Sequence, residues 1–155
     1  MSYNWAMTKP DNRMLKYIAL IAWLIVIFLF SNQAATGSSA LSGTVVDTIK
    51  PWFQSIPESI LTFLTRKSAH IGLYFVLGVL TYNVALEYRL RTKQQVIYSW
   101  IFVIAYALTD ELHQMFVPGR SGEVRDMLID AVAGLLGIGL YWWITTRRSA
   151  RQSDR

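Results

Sequence analysis

Four apolar blocks constrain the fold of this chain more than any other feature of its sequence. They run from about Leu15 to Phe30, Ala69 to Leu86, Val96 to Leu112 and Met127 to Ile144. Each is near the lower end of the roughly 17–25 residues that a helix needs to cross a bilayer. Apolar residues make up 53% of the 155 residues and fall in blocks rather than in an amphipathic rhythm. The pattern predicts one all-α domain over residues 1–155, an integral membrane bundle of four helices.

The basic residues predict the orientation of that bundle. If the four helices alternate across the membrane, one side carries Lys9, Arg13, Lys16, Arg89, Arg91, Lys93, Arg147, Arg148, Arg151 and Arg155. The other side carries Lys50, Arg66, Lys67, Arg120 and Arg125. The positive-inside rule places the richer side, and both termini, in the cytoplasm. This bias accounts for the net charge of +5, and no nucleic-acid-binding motif is present, so a nucleic-acid partner is not expected.

The segment between the first two blocks, Ser31 to Arg66, is predicted to lie outside the membrane. Its first part, Ser31 to Ser39, has the composition of a loop. Two mixed apolar and polar stretches follow, Leu41 to Phe53 and Ile56 to Leu64, and they are broken by Pro51 and Pro57. These stretches predict short helices, which either lie at the outer interface or pack on the bundle as a cover.

The first apolar block has a rival interpretation as a cleaved signal peptide, because Ala34 and Ala35 follow it. Its apolar run is long for the core of a signal peptide, so an uncleaved span is preferred. The chain has no cysteine, which excludes disulfides, thiolate metal sites and cysteine nucleophiles.

Each of the last three blocks carries polar and ionisable side chains at one end. The three sets are Lys67, His70 and Tyr74; Asp110, Glu111, His113 and Gln114; and Asp126 and Asp130. Their spacing places most members of each set on one helical face. Ionisable groups are costly in lipid, so they normally face a protein interior or a wet cavity. With alternating helices all three sets lie near the outer surface, which predicts one shared, outward-facing pocket. The alternative is a set of interfacial charges that reach the headgroups.

Small residues continue these faces into the membrane. They are Gly78, Thr81, Ala85, Ala133, Gly134 and Gly137. Because small residues let membrane helices approach closely, the second and fourth blocks are predicted to pack tightly and draw the polar ends together.

The polar sets indicate the chemistry of the pocket. The predicted proton-transfer residues are His70, Asp110, Glu111, His113 and Asp130. The predicted substrate-binding residues are Lys67, Tyr74, Gln114, Arg120, Arg125 and Asp126. Among these, the lysine and the two arginines suit an anionic group. A salt bridge from Arg120 to Glu111 or Asp126 is the structural alternative. No cofactor is predicted, although a divalent metal held by a histidine and carboxylates stays open.

Two stretches resemble the VanZ-like family of bacterial membrane proteins. The first is Arg66-Lys67-Ser-Ala-His70, followed by Tyr74 and Gly78; the second is Asp110-Glu111-Leu-His113-Gln114-Met-Phe-Val-Pro-Gly119-Arg120, followed by Asp126 and Gly134. This chain departs from the family in two places: Leu73 stands where many relatives have an acid, and Asp130 where asparagine is frequent. The resemblance implies a multi-pass protein of the bacterial cytoplasmic membrane linked to the cell envelope, in a family whose name-giving member is associated with teicoplanin resistance.

The combined expectation is a protein that binds or modifies an anionic envelope component in the outer leaflet, such as a lipid-linked glycan or a phosphate-bearing lipid. Whether it is an enzyme is left open. A non-enzymatic binder that alters antibiotic access is one alternative. A small transporter that carries protons on Asp110 or Asp130 is another, although four spans are few and these acids lie near one surface. The sequence does not predict an oligomeric state.

Overall fold

The computed structural model of the chain describes the backbone of residues 12–32, 35–120 and 122–153, and the side chains of residues 12–32, 42–120 and 122–148. All regular structure in these ranges is helical. The elements are α1 (Arg13–Ser31), α2 (Ala35–Ile49), a 3₁₀ turn (Lys50–Trp52), α3 (Glu58–Ala85), α4 (Thr92–Gln114) and α5 (Val124–Ser153). The predicted all-α class is therefore confirmed.

Within the described residues, three helices are long and apolar enough to cross a membrane: α1, α3 and residues 124–148 of α5. The helix α4 has 23 residues but is not among them. It begins with a polar turn, and Asp110, Glu111, His113 and Gln114 crowd its last turn. A fourth span at α4 stays a prediction.

Consecutive long helices run in opposite directions. At one end, Lys16 near the start of α1 forms an ion pair with Glu87, just beyond the end of α3. The hydroxyl groups of Tyr17 and Tyr88 meet there at 2.7 Å. At the other end, Lys67 in α3 forms an ion pair with Asp126 near the start of α5. The apolar core lies between these ends, and α3 touches each of the other four α-helices.

The contact between α3 and α5 depends on glycines. A Cβ atom at Gly78 would overlap the backbone carbonyl of Gly134, and one at Gly137 would overlap the carbonyl oxygen of Phe75. Only a residue without a side chain allows two backbones to approach this closely. The predicted tight packing of these segments is confirmed.

Aromatic side chains tie the helices together by donating hydrogen bonds to backbone carbonyls. The Trp23 indole of α1 donates to Leu73 O at 2.9 Å, and the Trp100 indole of α4 donates to Ala131 O at 3.0 Å. The Tyr106 hydroxyl donates to Leu24 O at 2.6 Å. Such bonds fix the rotation of each helix, and that rotation decides which faces turn inward.

Two expectations about the segment before α3 are wrong. The loop predicted for 31–39 is helical from Ala35 onward, while Gln33 and Ala34 lie outside the described residues. The separate helix predicted for 56–64 is instead the beginning of α3, so the second apolar block extends back to Glu58. Pro57 does not break this helix but precedes its first residue, where a missing N–H costs nothing. The helix α2 packs on α3 with Val46 fully buried, as expected of a cover.

Candidate functional site

A polar cavity of about 200 Å³ opens where α3 and α5 begin and α4 ends. Its walls come from these three helices and from the segment that links α4 to α5. The lining residues are Phe63, Arg66, Lys67, His70, Gln114, Gly119, Arg120, Glu123, Arg125 and Asp126. Polar groups from distant parts of the sequence therefore do share one pocket.

Two of the cations that line the cavity, Lys67 and Arg125, are already paired with acids. Lys67 forms an ion pair with Asp126, and both side chains are about one-fifth exposed. Arg125 is 64% exposed and lies 3.3 Å from a Glu123 carboxylate oxygen and 4.0 Å from one of Asp126. These contacts neutralise much of the local charge. Lys67 and Arg125 are therefore weaker candidates for anion binding than their sequence positions indicate.

Arg120 differs from these two cations because part of its guanidinium is buried without a partner. Its Nε atom has no hydrogen-bond acceptor among the described residues. Burial, and after it the charge of the nearby Arg66, lowers the pKa of Arg120. No ion pair in the described part of the chain joins Arg120 to Glu111 or Asp126, so the salt bridge considered from the sequence does not form. Two neighbouring guanidinium groups, those of Arg66 and Arg120, instead line the cavity, and no ion pair among the described residues joins either of them to an acid.

The link between α4 and α5 carries Arg120 back over the end of α4. Gly119 has a positive φ of 76°, a conformation that side chains disfavour. A Glu111 carboxylate oxygen accepts a hydrogen bond from the backbone N–H of Glu123 at 2.8 Å. Glu111 thus holds the link in place and fixes the start of α5, which is a structural use of a residue predicted to transfer protons.

Next to the cavity, three helices contribute one residue each to a compact cluster. It consists of His70 of α3, Asp110 of α4 and Asp130 of α5, and it is called the inner cluster below. One nitrogen or oxygen atom from each lies within 4.8 Å of the others. The His70 Nδ1 atom is 3.5 Å from an Asp130 carboxylate oxygen. Both aspartates are at least nine-tenths buried. Gln114 donates a hydrogen bond to Asp110 at 3.2 Å, and the buried Tyr74 hydroxyl lies beside the same carboxylate.

Five of the predicted site residues do not line the cavity: Tyr74, Asp110, Glu111, His113 and Asp130. Of these, His113 lies against α1 rather than in or beside the inner cluster. Its Nε2 atom lies 3.2 Å from the Asn32 side-chain oxygen, and its ring centroid is 4.9 Å from that of Phe28. Its ring therefore faces α1. Conversely, four residues line the cavity although they were not among the predicted site residues: Phe63, Arg66, Gly119 and Glu123. Of these, Arg66 carried a signal, because it is the cation next to Lys67 in the first polar stretch.

The VanZ/LLP1 family model matches residues 16–145, which include every residue of the cavity and of the inner cluster. The chain belongs to the VanZ/LLP1 family. This membership confirms the resemblance that the two polar stretches indicated. No curated protein and no solved structure matches this VanZ/LLP1 chain.

Proposed function

We propose that this VanZ/LLP1 protein binds the phosphate-bearing headgroup of an envelope lipid, either a lipid-linked glycan or a phospholipid, in the polar cavity. The observation that carries the proposal is the neighbouring pair Arg66 and Arg120, with the Arg120 Nε atom buried and unpartnered. Guanidinium groups bind phosphate in a bidentate manner, and an anion between them would offset both their repulsion and the cost of burial.

The size of the cavity favours a headgroup over a whole lipid. Its volume of about 200 Å³ exceeds the roughly 10–15 Å³ that one water requires. It is smaller than the roughly 300–1,000 Å³ of pockets that enclose drug-sized ligands. A phosphate with a small substituent therefore fits inside, while the acyl or prenyl chains would stay in the bilayer.

The proposed setting is the outer leaflet of the bacterial cytoplasmic membrane. In this arrangement α4 is the fourth span, and α1, α3, α4 and α5 form a four-helix bundle with both termini in the cytoplasm. The positive-inside rule supports this orientation, because the sequence places more basic residues at the end opposite the cavity.

The test is a binding titration with the full-length protein in nanodiscs of phosphatidylcholine. The probes are a short-chain polyprenyl phosphate, phosphatidylglycerol and the uncharged prenyl alcohol. We expect the phosphate probes to bind and the alcohol not to bind. Arg120→Gln and Arg66→Gln should each weaken binding by about 10-fold to 100-fold, since a hydrogen bond to a charged group contributes about 1.5–3 kcal/mol.

Arg89→Gln is the matched control, because Arg89 is exposed in the link between α3 and α4, at the opposite end of the bundle. This variant should bind like the wild type. Equal binding of phosphate and alcohol would contradict the proposal. So would Arg120→Gln and Arg66→Gln variants that keep wild-type affinity.

A second candidate function is chemical modification of the bound headgroup. The His70 imidazole lies 3.5 Å from the Asp130 carboxylate, next to the cavity, which is the arrangement of a general base with an orienting acid. This candidate predicts a product that the wild type forms and His70→Gln does not, while headgroup binding survives. If the headgroup binds but no product forms, the protein acts only as a binding protein. Its effect on glycopeptide access is then measured as the teicoplanin susceptibility of cells that express it.

A further inference from the structure

We propose that the inner cluster of His70, Asp110 and Asp130 is a binding site for one divalent transition-metal ion. The site lies next to the cavity, and the proposal does not depend on headgroup binding. Each ligand comes from a different helix, so the packing of α3, α4 and α5 brings the three together.

The spacing of the three side chains is close to that of a metal site. Their candidate ligand atoms all lie within 4.8 Å of one another. Metal bonds to imidazole nitrogen and carboxylate oxygen are about 2.0–2.2 Å long, so two ligands of one tetrahedral ion are about 3.3–3.6 Å apart. Side-chain movements of roughly an ångström would complete the coordination.

An independent observation points to a ligand at this site. Asp130 is 1% exposed, and its Oδ2 atom has no hydrogen-bond partner among the described residues. The nearest cationic candidate is His70 Nδ1 at 3.5 Å, which is longer than an ordinary N–H···O hydrogen bond. A buried carboxylate oxygen that has only this long contact is incompletely compensated for its desolvation. A metal ion between Asp130 and His70 would offset this desolvation penalty.

The charged groups around the cluster do not supply a permanent cation to Asp130. From α3, Lys67 is already paired with Asp126 of α5. From the α4–α5 link, Arg120 lies near Asp110 and Glu111. From α4, Asp110 adds a second buried negative charge. This leaves the imidazole of His70, which is either protonated as a counter-ion or neutral as a metal ligand.

The ligand set selects the type of metal. One imidazole nitrogen with two carboxylates suits Zn²⁺ or Mn²⁺, whereas Mg²⁺ and Ca²⁺ prefer sites made of oxygen alone. Three protein ligands also leave at least one coordination position open toward the cavity. A metal bound in this way occupies the His70 nitrogen, so His70 would then not act as the general base of the second candidate function.

The experiment measures metal binding in the absence of any phosphate lipid, so that its outcome is separate from that of the headgroup titration. Full-length protein with a histidine-free purification tag is treated with a chelator in maltoside micelles. It is then titrated with Zn²⁺, Mn²⁺ and Mg²⁺ by equilibrium dialysis, and the bound metal is measured by mass spectrometry. We expect one equivalent of Zn²⁺ or Mn²⁺ and at least 10-fold weaker binding of Mg²⁺.

Asp130→Asn and His70→Gln should each weaken binding of the preferred metal at least 10-fold, because each removes a ligand with little change in shape. Asp47→Asn is the matched control, since Asp47 is an exposed carboxylate on α2. Saturating metal should also raise the unfolding temperature of the wild type and of Asp47→Asn but not of Asp130→Asn. If Asp130→Asn does not fold, His70→Gln provides the comparison.

The proposal is overturned if the wild type binds less than a tenth of an equivalent of any of the three metals. It is also overturned if Asp130→Asn and His70→Gln bind metal as tightly as the wild type. The first result would leave His70 and Asp130 as an imidazolium–carboxylate ion pair.

Discussion

Replacing Gly78 by alanine tests whether the close contact of α3 and α5 holds the bundle together. A Cβ atom at this position would overlap the backbone carbonyl of Gly134, which cannot rotate away as a side chain would. An unstrained carbon–oxygen contact is about 3.3 Å or longer, so the two helices have to separate by roughly an ångström. Overpacking of this kind costs about 1–3 kcal/mol. The better helix propensity of alanine returns about 1 kcal/mol of this.

Gly72→Ala in the same helix is the matched control, because a Cβ atom there meets nothing within 4 Å. It carries the propensity gain without the overlap, so the two variants should differ by about 1–3 kcal/mol, or roughly 2–12 °C in unfolding temperature. The assay is thermal unfolding in maltoside micelles followed by tryptophan fluorescence. Equal unfolding temperatures for Gly78→Ala and Gly72→Ala would refute the reasoning.

Three further predictions concern other parts of the molecule. Hydrogen bonding to Lys16 lowers the pKa of Glu87, so its stabilising contribution is complete above the ordinary value of 4.5 and is lost at lower pH. As the pH falls below that value, the unfolding temperature of the wild type should therefore decrease more steeply than that of Glu87→Gln. The same pH dependence of the unfolding temperature in both proteins would contradict this. Tyr106→Phe should lower the free energy of unfolding by about 0.6–1.7 kcal/mol in denaturant titrations, because it removes an interhelical hydrogen bond; an unchanged value counts against that role. Since the chain has no cysteine, Asp47→Cys should react with an impermeant maleimide in intact spheroplasts and Arg89→Cys only after lysis, and the reverse would overturn the orientation.

The convergence of the three polar sets in one pocket was predictable because each set lies at one end of an apolar block. Spacing alone placed Lys67 and His70 on one face of α3, and both line the cavity. Alternation of the helices brought the ends of α3, α4 and α5 to the same level. The functional roles assigned to these residues from the sequence stay predictions.

The position of His113 was not predictable because helical spacing leaves the rotation of a helix undetermined. Successive residues are 100° apart, so His113 and Gln114 lie on opposite sides of Asp110. Either side is compatible with a shared face. The hydrogen bond from Tyr106 to α1 belongs to a rotation of α4 that turns Gln114 toward the cavity and His113 toward Asn32. Which neighbour a side chain contacts therefore depends on how the helices pack, and helical spacing in the sequence does not determine this.

The length of α3 relates the height of the cavity to the thickness of the membrane. Its 28 residues span about 42 Å, roughly 12 Å more than a typical hydrocarbon layer. In an upright helix whose far end lies at the boundary near Ala85, this surplus equals about eight residues and reaches from Glu58 to Arg66. Arg66 would then stand at the outer boundary of the hydrocarbon layer, next to the headgroups. A thicker bilayer would submerge Arg66 and a thinner one would raise it into water, so the proposed headgroup binding should depend on the acyl-chain length of the host membrane.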